Sequence, residues 1–180
     1  MKLASFSIGN RCSYGVVTDE GVIDISQQPG APGNLRSALA KLTTEEIAAL
    51  TAGRLPDHEL GDIVYLPPIT DPKKILCIGV NYVNRNEEYD ETTLPQYPSV
   101  FIRTPGSLVG HLQPIIRPME SKQLDYEGEI AIIIGKAGRR IPQESAESYI
   151  AGLTVLQEGS VRDWMRHGKF NVTQGRSEER

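Results

Sequence analysis

Apolar positions near the start of the chain alternate with polar positions at strand spacing and then switch to helical spacing. Short apolar runs bounded by turn residues predict three strands in a meander, at residues 2–8, 14–18 and 22–25. A helix is expected next, because apolar residues recur with i, i+3, i+4 and i+7 spacing at Leu35, Ala38, Leu39 and Leu42. The following Thr-Thr-Glu-Glu, residues 43–46, fits the capping box of a second helix that Gly53 ends. This part of the chain carries no obvious chemistry, so its predicted role is structural.

A segment rich in proline and aspartate, residues 55–72, predicts a connector between this part and the rest of the chain. We therefore expect a small N-terminal α+β domain over residues 1–68 and a larger domain over residues 69–180. Apolar runs in the larger domain predict strands at residues 74–79, 99–103, 114–117, 130–135 and 152–156. Pro142 marks the start of a short helix that runs through Ile150. Strands outnumber helices, which favours a β-rich α+β fold over a doubly wound sheet.

Composition limits the partners and the compartment. The net charge of the 180 residues is −4, without a stripe of basic residues, so nucleic acid is not an expected partner. No apolar stretch approaches the roughly 20 residues that a membrane helix needs, and residues 1–7 lack the apolar core of a signal peptide. Cys12 and Cys77 form neither a metal-spaced pair nor a disulfide framework. We expect a cytoplasmic protein that binds neither nucleic acid nor membrane.

The most informative residues are two carboxylates at the start of the apolar run over residues 130–135. Glu127 and Glu129 are two residues apart, so on a strand their side chains point to the same face. Two carboxylates held together repel each other unless a proton, a cation or a metal ion offsets their charge, and Mg²⁺ prefers such oxygen ligands. The alternative is an acidic strand end that points into water.

Two further polar segments follow predicted strands. Tyr82, Arg85 and Glu88 recur at i+3 steps and would share one helix face, where the arginine could bind an anionic substrate or form a surface ion pair. Glu158 closes the apolar run over residues 152–156. It is either a third carboxylate of an oxygen-rich metal site or the partner of Arg162 in a local ion pair.

Taken in order, several of these motifs resemble the fumarylacetoacetate hydrolase (FAH) family. The matching segments are Gly-Val-Asn-Tyr at 79–82, residues 97–103 with Gly110, Asp-Tyr-Glu-Gly-Glu-Ile-Ala at 125–131, Ile-Gly-Lys at 134–136, Gly-Leu-Thr at 152–154 and Ser-Val-Arg-Asp-Trp at 160–164. The resemblance implies an FAH-type β-roll catalytic domain that holds Mg²⁺ or Mn²⁺ in a homodimer, preceded by the family's small N-terminal domain.

The resemblance also assigns roles to individual residues. It places the metal ligands at Glu127, Glu129 and Glu158, the last where the family has aspartate. The family's catalytic His–Glu pair falls on Arg85 and Glu88. Since arginine stays protonated, Arg85 cannot activate water as a base. Glu88 would move the proton, and Arg85 would hold a substrate carboxylate.

Tyr82 and Arg103 are further expected substrate-binding residues. The family's lysine after a Thr-x-Gly segment would fall at Arg176. Family members continue well beyond the matched region, so the C-terminal part of the catalytic domain is expected to be missing, unless this chain closes its core differently.

The implied activity is metal-assisted chemistry on 2-oxo acids or β-diketones through a metal-stabilised enolate. An acylpyruvate-type C–C hydrolase is the first expectation. Isomerase, hydratase or decarboxylase activity of the same family is the alternative, because Arg85 weakens the case for water activation. A truncated, non-catalytic metal-binding member is the expectation from another class.

Overall fold

The computed structural model describes residues 1–82, 96–167, 172–173 and 175–176. The chain divides into two compact units. The first unit comprises Met1–Asp71, Val109–Ile115 and Gly128–Gln157, and the second comprises Pro72–Leu108, Ile116–Glu127 and Glu158–Arg180. The domain boundary expected between residues 68 and 69 stays a prediction.

The described secondary structure is mainly β. Its strands are β1 (Lys2–Ile8), β2 (Arg11–Val17), β3 (Val22–Asp24), β4 (Val64–Tyr65), β5 (Leu76–Gly79), β6 (Ser99–Ile102), β7 (Leu124–Asp125), β8 (Gly128–Ile134), β9 (Ile150–Gln157) and β10 (Ser160–Val161). Its α-helices are α1 (Leu35–Lys41) and α2 (Thr44–Thr51). The 3₁₀ helices are Pro105–Ser107, Gln143–Tyr149 and Trp164–Arg166. This content confirms the expected β-rich α+β class. The strand expected at residues 114–117 is wrong, because these residues belong to none of the strands in the described part of the chain.

The first unit begins with a four-stranded antiparallel sheet of order β3-β2-β1-β4. The predicted meander is therefore confirmed, with β2 beginning at Arg11 rather than at residue 14. The two helices add Leu35, Ala38 and Ile47 to a core that Tyr14 and Ile25 share. Burial of such side chains contributes about 1.5–3 kcal/mol each, so this cluster stabilises the unit.

Both helices are capped as their sequences require. The Asn34 side chain accepts the backbone N–H of Ser37 at 2.9 Å and begins α1. In α2, Thr43 Oγ1 accepts the N–H of Glu46 at 3.2 Å, while the Glu46 carboxylate accepts the N–H of Thr43 at 2.7 Å. The predicted capping box is confirmed.

Asp24 is a buried carboxylate in the first unit. Its oxygens accept hydrogen bonds from Ser13 at 2.6 Å, Ser26 at 2.8 Å and Arg11 at 2.9 Å, and the His58 ring lies at 3.4 Å. Burial alone would raise the pKa of Asp24, but these hydrogen bonds to the charged form outweigh burial and lower the pKa below its usual range.

The first unit also contains a hairpin in which β8 pairs antiparallel with β9. Glycine 135 donates its N–H to the carbonyl of Tyr149 where the hairpin is closed by the 3₁₀ helix Gln143–Tyr149. The strands expected at residues 130–135 and 152–156 are present, but one face of the hairpin is exposed: its side chains are 54–86% exposed and comprise Ile130, Ile132, Ile134, Leu153 and Val155. Alternation with period two fixes which residues share a face but not what covers that face.

Gly110 of the first unit lies against the backbone of β4. A Cβ atom on Gly110 would overlap the carbonyl oxygen of Tyr65, and the neighbouring His111 ring packs edge-on against the Tyr65 ring with centroids 5.5 Å apart. The approach of the two backbones requires glycine at this position.

The second unit contains two short antiparallel ladders, β5 with β6 and β7 with β10. Leu76, Ile78, Val100 and Ile102 lie on one face of the first ladder and are 47–60% exposed. The second ladder positions the residues of the candidate site. None of the helices in the described ranges is long and apolar enough to cross a bilayer.

Candidate metal centre

Two paired segments of the second unit bring Glu127 and Glu158 together. Strand β7 ends at Asp125 and β10 begins at Ser160, and these two residues face each other in the ladder. Beyond the ladder, the N–H of Glu158 donates to the carbonyl of Glu127 at 2.7 Å. Residues 31 positions apart in sequence thus become neighbours, which their sequence spacing did not reveal.

The three glutamates expected as metal ligands converge. One carboxylate oxygen of each of Glu127, Glu129 and Glu158 lies within 4.8 Å of the others. The proximity of Glu129 is local, since it is two residues along the same extended segment from Glu127. Glu158 is buried and the other two are half-buried, so the alternative of an acidic strand end pointing into water does not describe this cluster.

Arg103, expected to bind substrate, contacts the carboxylate cluster instead of projecting into solvent. Its Nη1 lies 3.2 Å from Glu158 Oε1, and its Nη2 donates to the backbone carbonyl of Arg176 at 2.6 Å. The side chain of Arg103 is only 5% exposed. A buried ion pair of this kind holds Glu158 in one orientation, and a substrate-binding role for Arg103 stays a prediction.

Arg176 contacts two of the three carboxylates through a single nitrogen. Its Nη1 lies 2.9 Å from Glu127 Oε1, 3.2 Å from Glu158 Oε2 and 2.6 Å from Ser160 Oγ. Its guanidinium carbon also lies 4.6 Å from the centre of the Phe101 ring. Sequence reasoning gave Arg176 no role beyond its correspondence with the family lysine, although that correspondence was the signal that could have placed it here.

Arg162 completes the positive charge around the cluster. It pairs with Glu127 Oε1 at 2.8 Å and with Asp125 Oδ2 at 2.9 Å. The local Glu158–Arg162 pair considered from the sequence is therefore replaced by pairs of Glu158 with Arg103 and Arg176. Long-range pairing, which spacing cannot indicate, decides the partners.

Cys77 of β5 adds a thiol beside Glu158. Burial, together with a hydrogen bond to the Glu158 carboxylate and the charge of that carboxylate, raises the pKa of Cys77 to about 12. The thiol therefore remains protonated at neutral pH. It is a neutral neighbour of the cluster rather than a thiolate ligand.

Tyr82 is described and is 51% exposed. Arg85 and Glu88, the expected catalytic pair, lie outside the described residues. The roles expected for Tyr82, Arg85 and Glu88 stay predictions.

The match to known proteins agrees with this geometry. Residues 74–179 match the family model for the C-terminal domain of fumarylacetoacetate (FAA) hydrolase. The chain therefore belongs to the fumarylacetoacetate hydrolase family, as its motifs indicated.

Two relatives are tautomerases by name. Oxaloacetate tautomerase Fahd2a, mitochondrial, of Rattus norvegicus is 36% identical over 153 residues, which cover 83% of this chain and 49% of that protein. Oxaloacetate tautomerase YisK of Bacillus subtilis is 33% identical over 195 residues, which cover 96% of this chain and 64% of that protein. The chain spans about half the length of the vertebrate relatives it matches.

A solved structure confirms the FAH-type fold. The fumarylacetoacetate hydrolase from the psychrophilic Exiguobacterium antarcticum superposes with a TM-score of 0.79 at 29% sequence identity. The superposition covers 99% of this chain and 62% of that chain. The fold described above is therefore of the FAH type.

The donor set fits a hard divalent cation. Carboxylate oxygens bound to one Mg²⁺ at about 2.1 Å lie about 3–4 Å apart. The three glutamate oxygens lie within 4.8 Å of one another, close to the spacing that one ion requires. Glu127, Glu129 and Glu158 are the residues that would hold it.

Proposed function

We propose that this chain is a divalent-metal-dependent enzyme that interconverts the keto and enol forms of small 2-oxo acids. The observation that carries this proposal is the convergence of Glu127, Glu129 and Glu158 on one point. Support for the reaction type comes from the relatives named oxaloacetate tautomerase, at 36% and 33% identity. The isomerase alternative thus replaces C–C hydrolysis as the leading candidate.

Tautomerisation also suits the residues that the sequence supplies. The reaction removes a proton from the carbon beside the 2-oxo group and returns one to oxygen, so it needs no activated water. Arginine at position 85 cannot serve as the base that hydrolysis requires. Glu88 can accept and return a proton as a carboxylate, and Arg85 can bind the substrate carboxylate through paired N–H groups.

A bound Mg²⁺ or Mn²⁺ would polarise the 2-oxo group as a Lewis acid and stabilise the negative charge that develops on its oxygen. The protein's part is to hold the three carboxylates in place. Arg103 fixes the orientation of the buried Glu158 through its 3.2 Å contact, and the protonated thiol of Cys77 is a neighbour of the same carboxylate. Such neighbours of ligand side chains set ligand orientation.

Acylpyruvate-type C–C hydrolysis is the second candidate. It is favoured by the likeness to the Exiguobacterium antarcticum fumarylacetoacetate hydrolase at 29% identity. The proposal also retains a homodimer and a cytoplasmic location; the rat relative, by contrast, is named as mitochondrial.

The proposal is tested by following the decay of enol-oxaloacetate absorbance with the purified chain in the presence of Mg²⁺, Mn²⁺ or a chelator. We expect the metal to accelerate the decay and the chelator to abolish that acceleration. Glu127→Gln removes one ligand charge and should lower the rate about 100-fold or more, the scale of losing one transition-state charge contact.

Glu45→Gln is the matched control, because Glu45 is an exposed glutamate in the first turn of α2. It should retain the unsubstituted rate. Turnover of acylpyruvates without any effect on oxaloacetate enolisation would favour the hydrolase. A rate that neither metal nor Glu127→Gln alters would contradict the metal-dependent mechanism.

A further inference from the structure

The carboxylate cluster already has a positively charged occupant. The Nη1 atom of Arg176 lies 2.9 Å from an oxygen of Glu127 and 3.2 Å from an oxygen of Glu158. A single nitrogen therefore bridges two of the three carboxylates that the proposed function assigns to the metal. A divalent ion bound by both carboxylates would need the space between the same oxygens.

The net charge of the cluster limits how a divalent cation can bind while Arg176 occupies this position. Three carboxylates, Glu127, Glu129 and Glu158, come together, and the guanidinium groups of Arg103, Arg162 and Arg176 pair with members of this set. A divalent cation added with all three arginines in place would give the cluster a net positive charge. Repulsion between cations a few ångströms apart in a partly buried site is strong, so one guanidinium must withdraw.

Arg176 is the guanidinium best suited to withdraw. Its Nε atom, like that of Arg103, is buried without a hydrogen-bond partner among the described residues, but it is Nη1 of Arg176 that bridges Glu127 and Glu158, where the ion would bind. Its backbone carbonyl is held independently by Nη2 of Arg103 at 2.6 Å, and its N–H donates to Thr173. The side chain can therefore leave by rotation while the backbone stays in place.

We propose that Arg176 is a built-in competitor of the divalent cation: its guanidinium neutralises Glu127 and Glu158 in the metal-free protein and leaves when the metal binds. This inference rests on the metal site of the proposed function. It predicts that the competing arginine weakens the metal affinity of the chain. It also predicts that the metal-free protein depends on Arg176 for stability, because without it two carboxylates lose a shared cation.

The test measures Mn²⁺ binding by calorimetry and thermal unfolding with and without Mn²⁺, using the full chain. Arg176→Met removes the charge and keeps much of the side-chain volume. Arg176→Gln is a second neutral variant that retains a hydrogen-bonding group for Ser160. We expect both to unfold at a lower temperature without metal, to bind Mn²⁺ about tenfold more tightly or better, and to gain more stability from Mn²⁺ than the unsubstituted chain.

Arg36→Met is the matched control. It changes the net charge by the same amount but removes an arginine that pairs with Asp71 in the first unit. Its Mn²⁺ affinity should equal that of the unsubstituted chain. A gain in affinity for Arg36→Met as large as that for Arg176→Met would overturn the proposal, because it would reflect net charge alone.

The remaining outcomes separate this inference from the proposed function. Equal Mn²⁺ affinity with and without Arg176, abolished in each case by Glu127→Gln, would overturn the competition and leave the metal site standing. Weaker binding by both neutral variants would also overturn it. Absence of Mn²⁺ binding in every variant would overturn both the inference and the metal-dependent function. If the neutral variants fold only when Mn²⁺ is present, the proposal is supported; if they fold in neither condition, it is overturned.

Discussion

At the scale of single residues, the candidate metal centre is built from carboxylates that pair with arginines far away in the sequence. Glu158 is 5% exposed, and its two oxygens face Arg103, 55 positions earlier, and Arg176, 18 positions later. A buried carboxylate of this kind is held in one orientation by its partners. From its position after an apolar run Glu158 was either a ligand or the partner of Arg162, and the family resemblance favoured the ligand; the structure supplies the physical reason for its burial.

Away from the candidate metal centre, Asp24 is likewise a buried carboxylate that its hydrogen-bond partners hold in place, and its effect on stability depends on pH. Its hydrogen bonds lower its pKa in the folded protein, so it contributes stability above the pKa of the unfolded chain and loses it as the pH falls through the lowered value. Replacing it by Asn leaves Arg11 and Ser13 without their charged acceptor, and we expect a loss of about 2 kcal/mol at neutral pH.

Urea unfolding of Asp24→Asn and the unsubstituted chain, from neutral pH to below about pH 4, measures this difference. The gap in unfolding free energy should be largest at neutral pH and shrink in acid. A gap that is independent of pH would show that Asp24 acts through shape rather than charge.

At the scale of secondary structure elements, the sequence predicted the N-terminal sheet and its helices most accurately. The reason is that their signals are local: the strand alternation of β1, the helical spacing from Leu35, and the capping box of Thr43 and Glu46 each lie within a few residues. By contrast, residues 114–117 have an apolar pattern like that of a strand but belong to no strand of the described structure. Propensity favours a strand there, and only tertiary context decides whether one forms.

The capping box gives an element-scale prediction. Thr43→Ala removes the acceptor for the N–H of Glu46. This N–H lies in the first turn of α2, where the helix offers no carbonyl to replace that acceptor. We expect the free energy of unfolding to fall by about 1 kcal/mol. Thr44→Ala, one residue into α2, is the control in urea unfolding and should change stability by less; equal losses for both variants would show that helix propensity and not capping is responsible.

At the scale of the whole molecule, the family and its fold were predictable because ordered motifs run from residue 79 to residue 164, while the ion-pair network was not predictable. The pairs of Glu127 and Glu158 with Arg176 depend on how β7 and β10 align, and no sequence spacing encodes that alignment. The relatives extend well beyond the part matched here, since this chain covers 49% of the rat protein. The activity of a complete family member therefore enters only as a proposal.

Exposed apolar faces affect the behaviour of the molecule in solution. Ile130, Ile132 and Ile134 of β8 are each more than half exposed on one face of the β8–β9 hairpin. Contiguous exposed apolar patches favour association. Ile132→Lys should therefore reduce self-association in sedimentation velocity and reduce the fluorescence of an apolar dye, with a change in stability within about 0.5 kcal/mol.

Gln143→Lys is its control, since it adds the same charge at an exposed polar position without removing an apolar side chain. If both variants reduce self-association equally, net charge rather than the apolar face controls it. If Ile132→Lys leaves association unchanged, the hairpin face is not where copies meet.

The close backbone approach at Gly110 has a consequence for how this sequence can vary. Alanine at position 110 would place its methyl group on the carbonyl of Tyr65, so the two backbones would have to separate. Gly152 in β9 has open space around a Cβ atom and should accept alanine. In a library that samples every substitution, selected for folded protein, position 110 should therefore return glycine alone while position 152 tolerates several residues, and equal tolerance at the two positions would refute the steric origin of the constraint.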